Sequence, residues 1–545
     1  MNVSEAVAAA LSEFGVTHAF GLIGSGNFAV TNALAARGVN FVAARHESAA
    51  VSMADAYARV TRQIGVATVH QGPGLTNALT ALTEAAKART PLLVLAADVP
   101  TAALRSNFRI DQAGLVGSVG AVSERIEDPA SMPETLVQAW SRASSERRAV
   151  VLSLPLDVQA AEAPSEAIAK PVPSAPPAPA PELVTRIADV LVDAHAPAIV
   201  AGRGAVLADA GGALEDLGER IGALLATSAN GHGLFAGNAW GVGISGGFAP
   251  PPARMLSESD VVLAFGASLN MWTTRHGELI GQAARVVQID IDQEAIGVHR
   301  SVDLGLVADA RLAAEAITNE LDRRGHRARG FRRDEVAEAL ARGTWRDVPI
   351  EDASDDRRMD PRTFSKALDE LLPSQRVVAV DSGHFMGWPP MYLAVPDEAG
   401  FVFTQSFQSI GLGLSSAIGA AVARPDRLTV ACLGDGGALM AAGEFETLVR
   451  LSLPVLVVVY NDAAYGAEVH HFAPQGHPVD IVRYPDPDLA GLARGLGAQS
   501  ATVRRLDDLA TLKPWLQRRD GPFVLDVKVV PDVVAEWLEE AFRAH

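Results

Sequence analysis

An apolar run, Leu428-Thr429-Val430-Ala431-Cys432-Leu433, leads directly into Gly434-Asp435-Gly436-Gly437-Ala438, and the next apolar run ends at Asn461-Asp462. These residue types at these places could hold a charged ligand. Glycines let backbone N–H groups approach phosphate oxygens, and the start of a following helix favours negative charge. One hard carboxylate, Asp435, with the amide oxygen of Asn461 would hold Mg²⁺ at about 2.0–2.1 Å and leave positions for diphosphate oxygens and water. Gly-Asp-Gly alone is also ordinary turn chemistry. Its pairing with Asn461 favours a metal-diphosphate site.

Such a loop must be delivered by something rigid. Parallel strands present ligand loops at their carboxyl ends, and the chain is full of candidate strands: 65–70, 91–96, 197–202, 261–266, 286–290, 377–381, 428–433 and 455–460. Longer Ala/Leu-rich segments separate them, the pattern of parallel sheets covered by helices on both faces. Two stretches interrupt it. Residues 163–182 are rich in Pro and Ala and read as a semi-extended linker. Residues 322–355 are rich in Arg and Asp, with one short helix-like piece, and read as a second linker before Pro361, which could open a helix. The expected organisation is α/β, with three doubly wound parallel-sheet domains at 1–162, 183–321 and 356–545.

Composition sets the outer limits. At 545 residues and roughly 100–200 per domain, about three domains are expected. A net charge of −18 repels polyanions, so nucleic acid is not an expected partner. The single cysteine, Cys432, excludes an intrachain disulfide, and the apolar runs fall short of the about 20 residues that span a bilayer. The N-terminus lacks the basic start and apolar core of a secretory signal. A cytoplasmic protein with no membrane association is expected.

The segment from Gly434 to Asn461 resembles the cofactor signature of the thiamine-diphosphate enzyme superfamily, which includes acetolactate synthases, benzoylformate decarboxylase and pyruvate decarboxylase. The run Arg45-His46-Glu47-Ser48-Ala49-Ala50 followed by Ala54-Asp55-Ala56-Tyr57-Ala58-Arg59 resembles a second segment of that superfamily, as does Gln408-Ser409-Ile410-Gly411 a third. The general pattern is most similar to acetolactate synthase-like proteins. The resemblance implies a pyrimidine-binding first domain, a central domain and a diphosphate-binding third domain. The metal ligands would be Asp435, Asn461 and the backbone carbonyl of Ala463. Cofactor contacts would come from Gly383, His384, Gln408, Ile410, Gly434, Gly436, Gly437, Ala438, Tyr465 and Gly466, with Ile410 as the wedge that bends the cofactor. Glu47, which by itself would more often serve a helix dipole, would share a proton with the pyrimidine. Because Glu47 and Asp435 lie on opposite domains, the superfamily pattern implies a homodimer or tetramer with active sites between subunits.

The substrate motifs are less specific. Ser25 and His70 fall where benzoylformate decarboxylase has its active-site Ser and His, so that His70 would move protons; a structural histidine is the plain alternative. Gln71 is a further catalytic candidate, facing the bound intermediate, and Gly24 a candidate for the substrate pocket. Trp272 stands where biosynthetic acetolactate synthases carry an arginine for a second 2-oxo acid, and the family lysine near Ala121 is missing. Glu468 and His471 are candidates for the substrate mouth, or a solvated helix face. Gly202-Arg203-Gly204 is a weak dinucleotide turn and leaves FAD open as a further ligand. The expected activity is decarboxylation of a 2-oxo acid to an enamine and its ligation to a second carbonyl, with a benzoylformate decarboxylase-type reaction as the alternative. A nucleotide-dependent oxidoreductase and a non-catalytic scaffold are the remaining readings.

Overall fold

The computed structural model describes residues 1–166, 168–172 and 174–543. Ala167 and Pro173 of the Pro/Ala stretch, and Ala544 and His545 of the third block, lie outside the described residues, as do the side chains of Glu539 and Glu540. The chain builds three six-stranded sheets, and every strand pair in them is parallel.

The first sheet contains β1 (His18–Gly21), β2 (Asn40–Ala43), β3 (Gly65–Val69), β4 (Leu92–Asp98), β5 (Val122–Arg125) and β6 (Ala149–Pro155), in the order β2-β1-β3-β4-β6-β5. The second contains β7 (Pro197–Ala201), β8 (Leu224–Thr227), β9 (Gly241–Ile244), β10 (Val261–Phe265), β11 (Arg285–Asp290) and β12 (Leu304–Val307), in the order β12-β11-β10-β7-β8-β9. The third contains β13 (Arg376–Val380), β14 (Phe401–Phe403), β15 (Leu428–Gly434), β16 (Val455–Asn461), β17 (Gln499–Val503) and β18 (Phe523–Lys528), in the order β14-β13-β15-β16-β18-β17. Central strands such as β3, β13 and β16 are buried along their whole length, as near-continuous Val/Ile/Leu/Ala runs require when helices cover both faces.

The outer domains share a core. Helix Glu47–Thr61 of the first packs on helix Gly413–Ala423 of the third, and a Cβ added to Gly419 would lie 2.1 Å from the Met53 carbonyl oxygen. Only glycine permits that approach. Arg59 fastens the same seam: its guanidinium lies 2.8 Å from Asp55 and 2.9 Å from Glu84, and donates to the Phe403 carbonyl at 2.9 Å. Glu84 in turn accepts the Phe407 N–H at 2.6 Å. The Asp-x-Tyr-Ala-Arg segment thus positions the loop that leads to Gln408 and Ile410.

The stretch 322–355 is packed rather than extended. Helix Asp334–Arg342 lies within it, and Phe331, Val336 and Leu340 are buried in the core of the second sheet, because their side chains fill the face that β7, β8 and β10 leave open. Trp345 donates through its indole N–H to the Phe248 carbonyl at 2.8 Å. Pro361 does open a helix, Pro361–Leu371, with Asp360 accepting the Arg362 N–H at 2.8 Å as the cap. Among the described residues no helix is long and apolar enough to cross a membrane.

Candidate active site

β15 ends at Gly434 and the chain turns at once into helix Asp435–Met440, which places Asp435 at the carboxyl edge of the third sheet. Asp435 is almost fully buried. One of its oxygens accepts from Gly436 N at 2.7 Å and from the Tyr484 hydroxyl at 2.8 Å, and the other accepts from Ala463 N at 2.7 Å. The same Ala463 N–H lies 3.2 Å from Asn461 Oδ1, at the end of the adjacent strand β16. The two sequence-predicted ligand oxygens therefore meet at one point. Ala463 itself adopts a left-handed φ of 59°.

The loop around that point is lined by backbone because side chains leave no room. A Cβ on Gly436 would meet the Tyr465 ring at 2.6 Å, one on Gly437 the Asp381 carboxylate at 2.4 Å, and one on Gly466 the Asp462 carboxylate at 2.4 Å. Burial raises the Asp435 carboxyl above its usual range; burial and the neighbouring Asp435 push Asp462 up to about 7. A divalent cation would relieve that crowding. Convergent hard oxygens beside a glycine cradle fit Mg²⁺ and a diphosphate.

A cavity of about 250 Å³ opens on this loop. Gly383, His384, Gln408, Ile410, Gly434, Asp435, Gly436, Gly437, Tyr465, Gly466, Glu468 and Trp272, all singled out by the sequence, lie on its wall. Asn461 and Ala438 are buried behind it. His384 has its ring engaged elsewhere: Nε2 accepts the Ala535 N–H at 3.2 Å and the ring lies 4.3 Å from that of His470. Burial, then His470, holds it down to about 3, so it brings no positive charge to a diphosphate. His471 is off the wall, stacked on Phe542 at 3.9 Å. Gln408 takes a left-handed φ of 64°, and its carbonyl accepts from Ser382 Oγ at 3.4 Å.

The first-domain candidates form a second group. Glu47 opens helix Glu47–Thr61 and accepts from Asn77 Nδ2 at 3.1 Å. His70 follows β3, and its Nδ1 accepts the Gly26 N–H at 3.1 Å; burial lowers its pKa and the Glu47 charge raises it, with burial prevailing. Gly74 lies between them, its missing Cβ 3.0 Å from His70 and 3.5 Å from Glu47. Gly24 packs flat on the His70 ring, Ser25 is exposed beside it, and Gln71 is buried with its amide oxygen unpartnered. Among the described residues none from 1–162 lines the cavity at Asp435. The two groups of one chain do not share that cavity.

Sequence reasoning overlooked several contributors. Asn27 pins the loop of Gly24, accepting its N–H at 2.8 Å and donating to Thr68 at 3.1 Å. Tyr484, Asp381 and the C-terminal residues Trp537, Leu538 and Phe542 also surround the third-domain cavity or its loop. A second cavity, about 700 Å³, opens at the carboxyl ends of β7, β10 and β11 and reaches Gln405 and Gln408. The Gly202-Arg203-Gly204 turn is explained by packing, since a Cβ on Gly202 would lie 2.2 Å from the Gly266 carbonyl oxygen.

With this geometry in view, the family is clear. Three family models match: the thiamine pyrophosphate enzyme N-terminal TPP binding domain at residues 1–115, the central domain at 184–317 and the C-terminal TPP binding domain at 381–527. The chain belongs to the thiamine pyrophosphate enzyme family. It is 30% identical to a probable 2-ketoarginine decarboxylase of Pseudomonas aeruginosa over 93% of this chain and 90% of that protein. It is 28% identical to a sulfoacetaldehyde acetyltransferase of Castellaniella defragrans over 93% of this chain and 89% of that protein. In fold it is similar to a thiamine diphosphate-dependent 4-hydroxybenzoylformate decarboxylase of Rhodococcus jostii, with a TM-score of 0.83 at 22% identity, covering 97% of this chain and 99% of that chain.

Proposed function

We propose that this chain decarboxylates a 2-oxo acid and releases an aldehyde, using thiamine diphosphate and Mg²⁺ in sites completed between two subunits. The observation that carries the reading is the wall of the cavity beside Asp435. Trp272 stands there with Trp537, Leu538 and Phe542, and none of the described residues lining it is Lys or Arg. Trp272 and Trp537 are 6.1 Å apart, each packed against Phe248 at 6.3 and 5.7 Å. A rigid aromatic surface suits the side chain of a single donor better than the carboxylate of a second, charged substrate.

When bound, thiamine diphosphate would supply a nucleophilic ring carbon for the donor carbonyl and a cationic thiazolium ring able to take up the electron pair left as CO₂ departs. Asp435, Asn461 and the Ala463 carbonyl would hold Mg²⁺, and the Gly434–Gly437 backbone with Gly383, Tyr465 and Gly466 would receive the diphosphate. Gln408 and Ile410 would meet the rings. Glu47 of a second subunit would hold a proton at the pyrimidine. His70 of that second subunit, its Nδ1 taking the Gly26 N–H and its pKa lowered by burial against the Glu47 charge, would present Nε2 as the ring nitrogen that takes up a proton and returns it from the imidazolium to the product carbon.

Ligation to a neutral or small acceptor is the second reading, supported by the kinship to an acetyltransferase. The larger cavity leaves FAD as a further ligand, and absorbance of the purified protein at the flavin bands tests it. The deciding experiment supplies a panel of 2-oxo acids with thiamine diphosphate and Mg²⁺ and records CO₂ and carbonyl product separately. One aldehyde per CO₂ is expected, and Glu47→Gln should lower kcat by at least about 10²-fold. Acyloin or acetolactate-like product at one per two donors would refute the decarboxylase reading.

A further inference from the structure

Asn461 offers a cation either of two unlike atoms: the amide oxygen is a ligand, and the amide nitrogen is not. Asparagine alone does not determine which of them faces Asp435. The neighbouring strand does. Asn461 Nδ2 donates to Asp526 Oδ1 at 2.8 Å and to the Pro487 carbonyl at 3.3 Å, while its Oδ1 takes the Ala463 N–H at 3.2 Å. Asp526 is paired with Val459 across β16 and β18, so it projects on the same face as Asn461 two residues on.

Asp526 is fully buried, and its other oxygen accepts from Leu489 N at 3.1 Å and meets Lys528 Nζ at 2.9 Å. Lys528 is 3% exposed and also reaches Asp486 at 2.5 Å and the Pro487 carbonyl at 2.8 Å. Arg358 lies 3.6 Å from Asp486 and donates to the backbone carbonyl of Asn461 at 3.3 Å. A buried ion pair in an otherwise apolar strand is costly to desolvate and gains little for folding alone. Here it faces one side of a proposed metal ligand.

We propose that Asp526, neutralised by Lys528, is a positioning residue for the divalent cation. A carboxylate can only accept, so it keeps the Asn461 NH₂ on its own side and turns Oδ1 toward Asp435. With an acceptor on one side and the Ala463 donor on the other, a single amide orientation satisfies both. The inference rests on the metal-site reading above and adds the group that sets the sense of the ligand.

The test is binding of Mn²⁺ to the full-length protein, freed of metal by chelation and saturated with thiamine diphosphate, read as free ion by electron paramagnetic resonance. Asp526→Asn preserves size but adds a donor, which releases the Asn461 amide to rotate; Mn²⁺ affinity should fall about 10–100-fold with circular dichroism unchanged. The exchanged pair Asn461→Asp with Asp526→Asn restores an oxygen to the metal and a donor behind it, and should recover binding to within about tenfold of the parent. Parent-like affinity in Asp526→Asn, or no recovery in the exchanged pair, overturns the proposal. If Asp526→Asn does not fold, the exchanged pair decides alone. Asp435→Asn separates the premises: if it keeps full Mn²⁺ affinity, the metal site itself is misplaced, whereas its loss beside an unaffected Asp526→Asn refutes only the positioning role.

Discussion

Replacing Arg59 by methionine tests the seam between the outer domains. The guanidinium is buried, and its loss removes contacts to Asp55 at 2.8 Å, Glu84 at 2.9 Å and the Phe403 carbonyl at 2.9 Å. Two buried carboxylates would then lose their paired cation, with Arg203 the positive charge left in reach. Breaking a buried pair in this way costs about 3–5 kcal/mol, far above the value of an exposed salt bridge. At about 2–4 °C per kcal/mol for a large domain, the apparent melting temperature should fall by roughly 6–20 °C. Glu84 also holds Phe407 N, so the loop carrying Gln408 and Ile410 should loosen, and thiamine diphosphate affinity should drop with the melting temperature. The assay is differential scanning calorimetry with and without cofactor, on Arg59→Met and on Arg59→Met with Glu84→Gln. The double variant removes one orphaned charge and should regain part of the loss. A shift under about 2 °C, or a double variant no more stable than the single one, would refute the reasoning.

Gly419→Ala should destabilise the same seam by about 1–3 kcal/mol, since the new Cβ would lie 2.1 Å from the Met53 carbonyl oxygen and the helices must part; unchanged denaturation midpoints would count against so tight a contact. Asp381 gives a pH signature. Burial pushes its carboxyl up to about 6 against the pull of the N–H groups of Gly411, Ser382 and Leu412, so the folded state retains a proton that the unfolded chain has released. Its contribution to stability is complete below the unfolded value near 3.9 and is lost as pH rises through about 6, with a slope of about 1.4 kcal/mol per pH unit inside that window. Urea midpoints measured between about pH 4 and pH 6 should show this term in the parent and not in Asp381→Asn; identical profiles would exclude it.

The legible parts of the fold were those written in contiguous residues. β3, β4, β7, β10, β11, β13, β15 and β16 appear as largely apolar runs, broken only by single buried residues such as Thr68, Gln288 and Thr429, because helices bury both their faces. β1, β2, β8, β9, β12 and β14 span three or four residues each, too few to form a pattern. In β18 Asp526 and Lys528 interrupt the apolar run. That interruption was itself a signal, since opposite charges two apart in a strand point to the same face. The same division holds for the site. Gly434 to Ala438 and Asn461 are local features of two adjacent strands, so their meeting could be anticipated. Tyr484 and Trp537 arrive from distant segments, and no spacing announces them, whereas Asn27 and Asn77 stand in the same turns as Gly24 and Gly74. His384, just after β13, and His471, just after Tyr465, show the limit of position alone: Ala535 and Phe542 occupy their rings.

The common core of the outer domains also bears on how this protein can be recombined. Helices Glu47–Thr61 and Gly413–Ala423 are moulded to each other at backbone distance, so the two outer pieces behave as one inheritable module although about a third of the chain separates them. Chimaeras that exchange residues 1–162 without 356–545 would join mismatched surfaces. A central domain cut within 163–182 and just ahead of Pro361 leaves that module whole, and with it Trp272 becomes a transferable cassette for altering the aromatic wall.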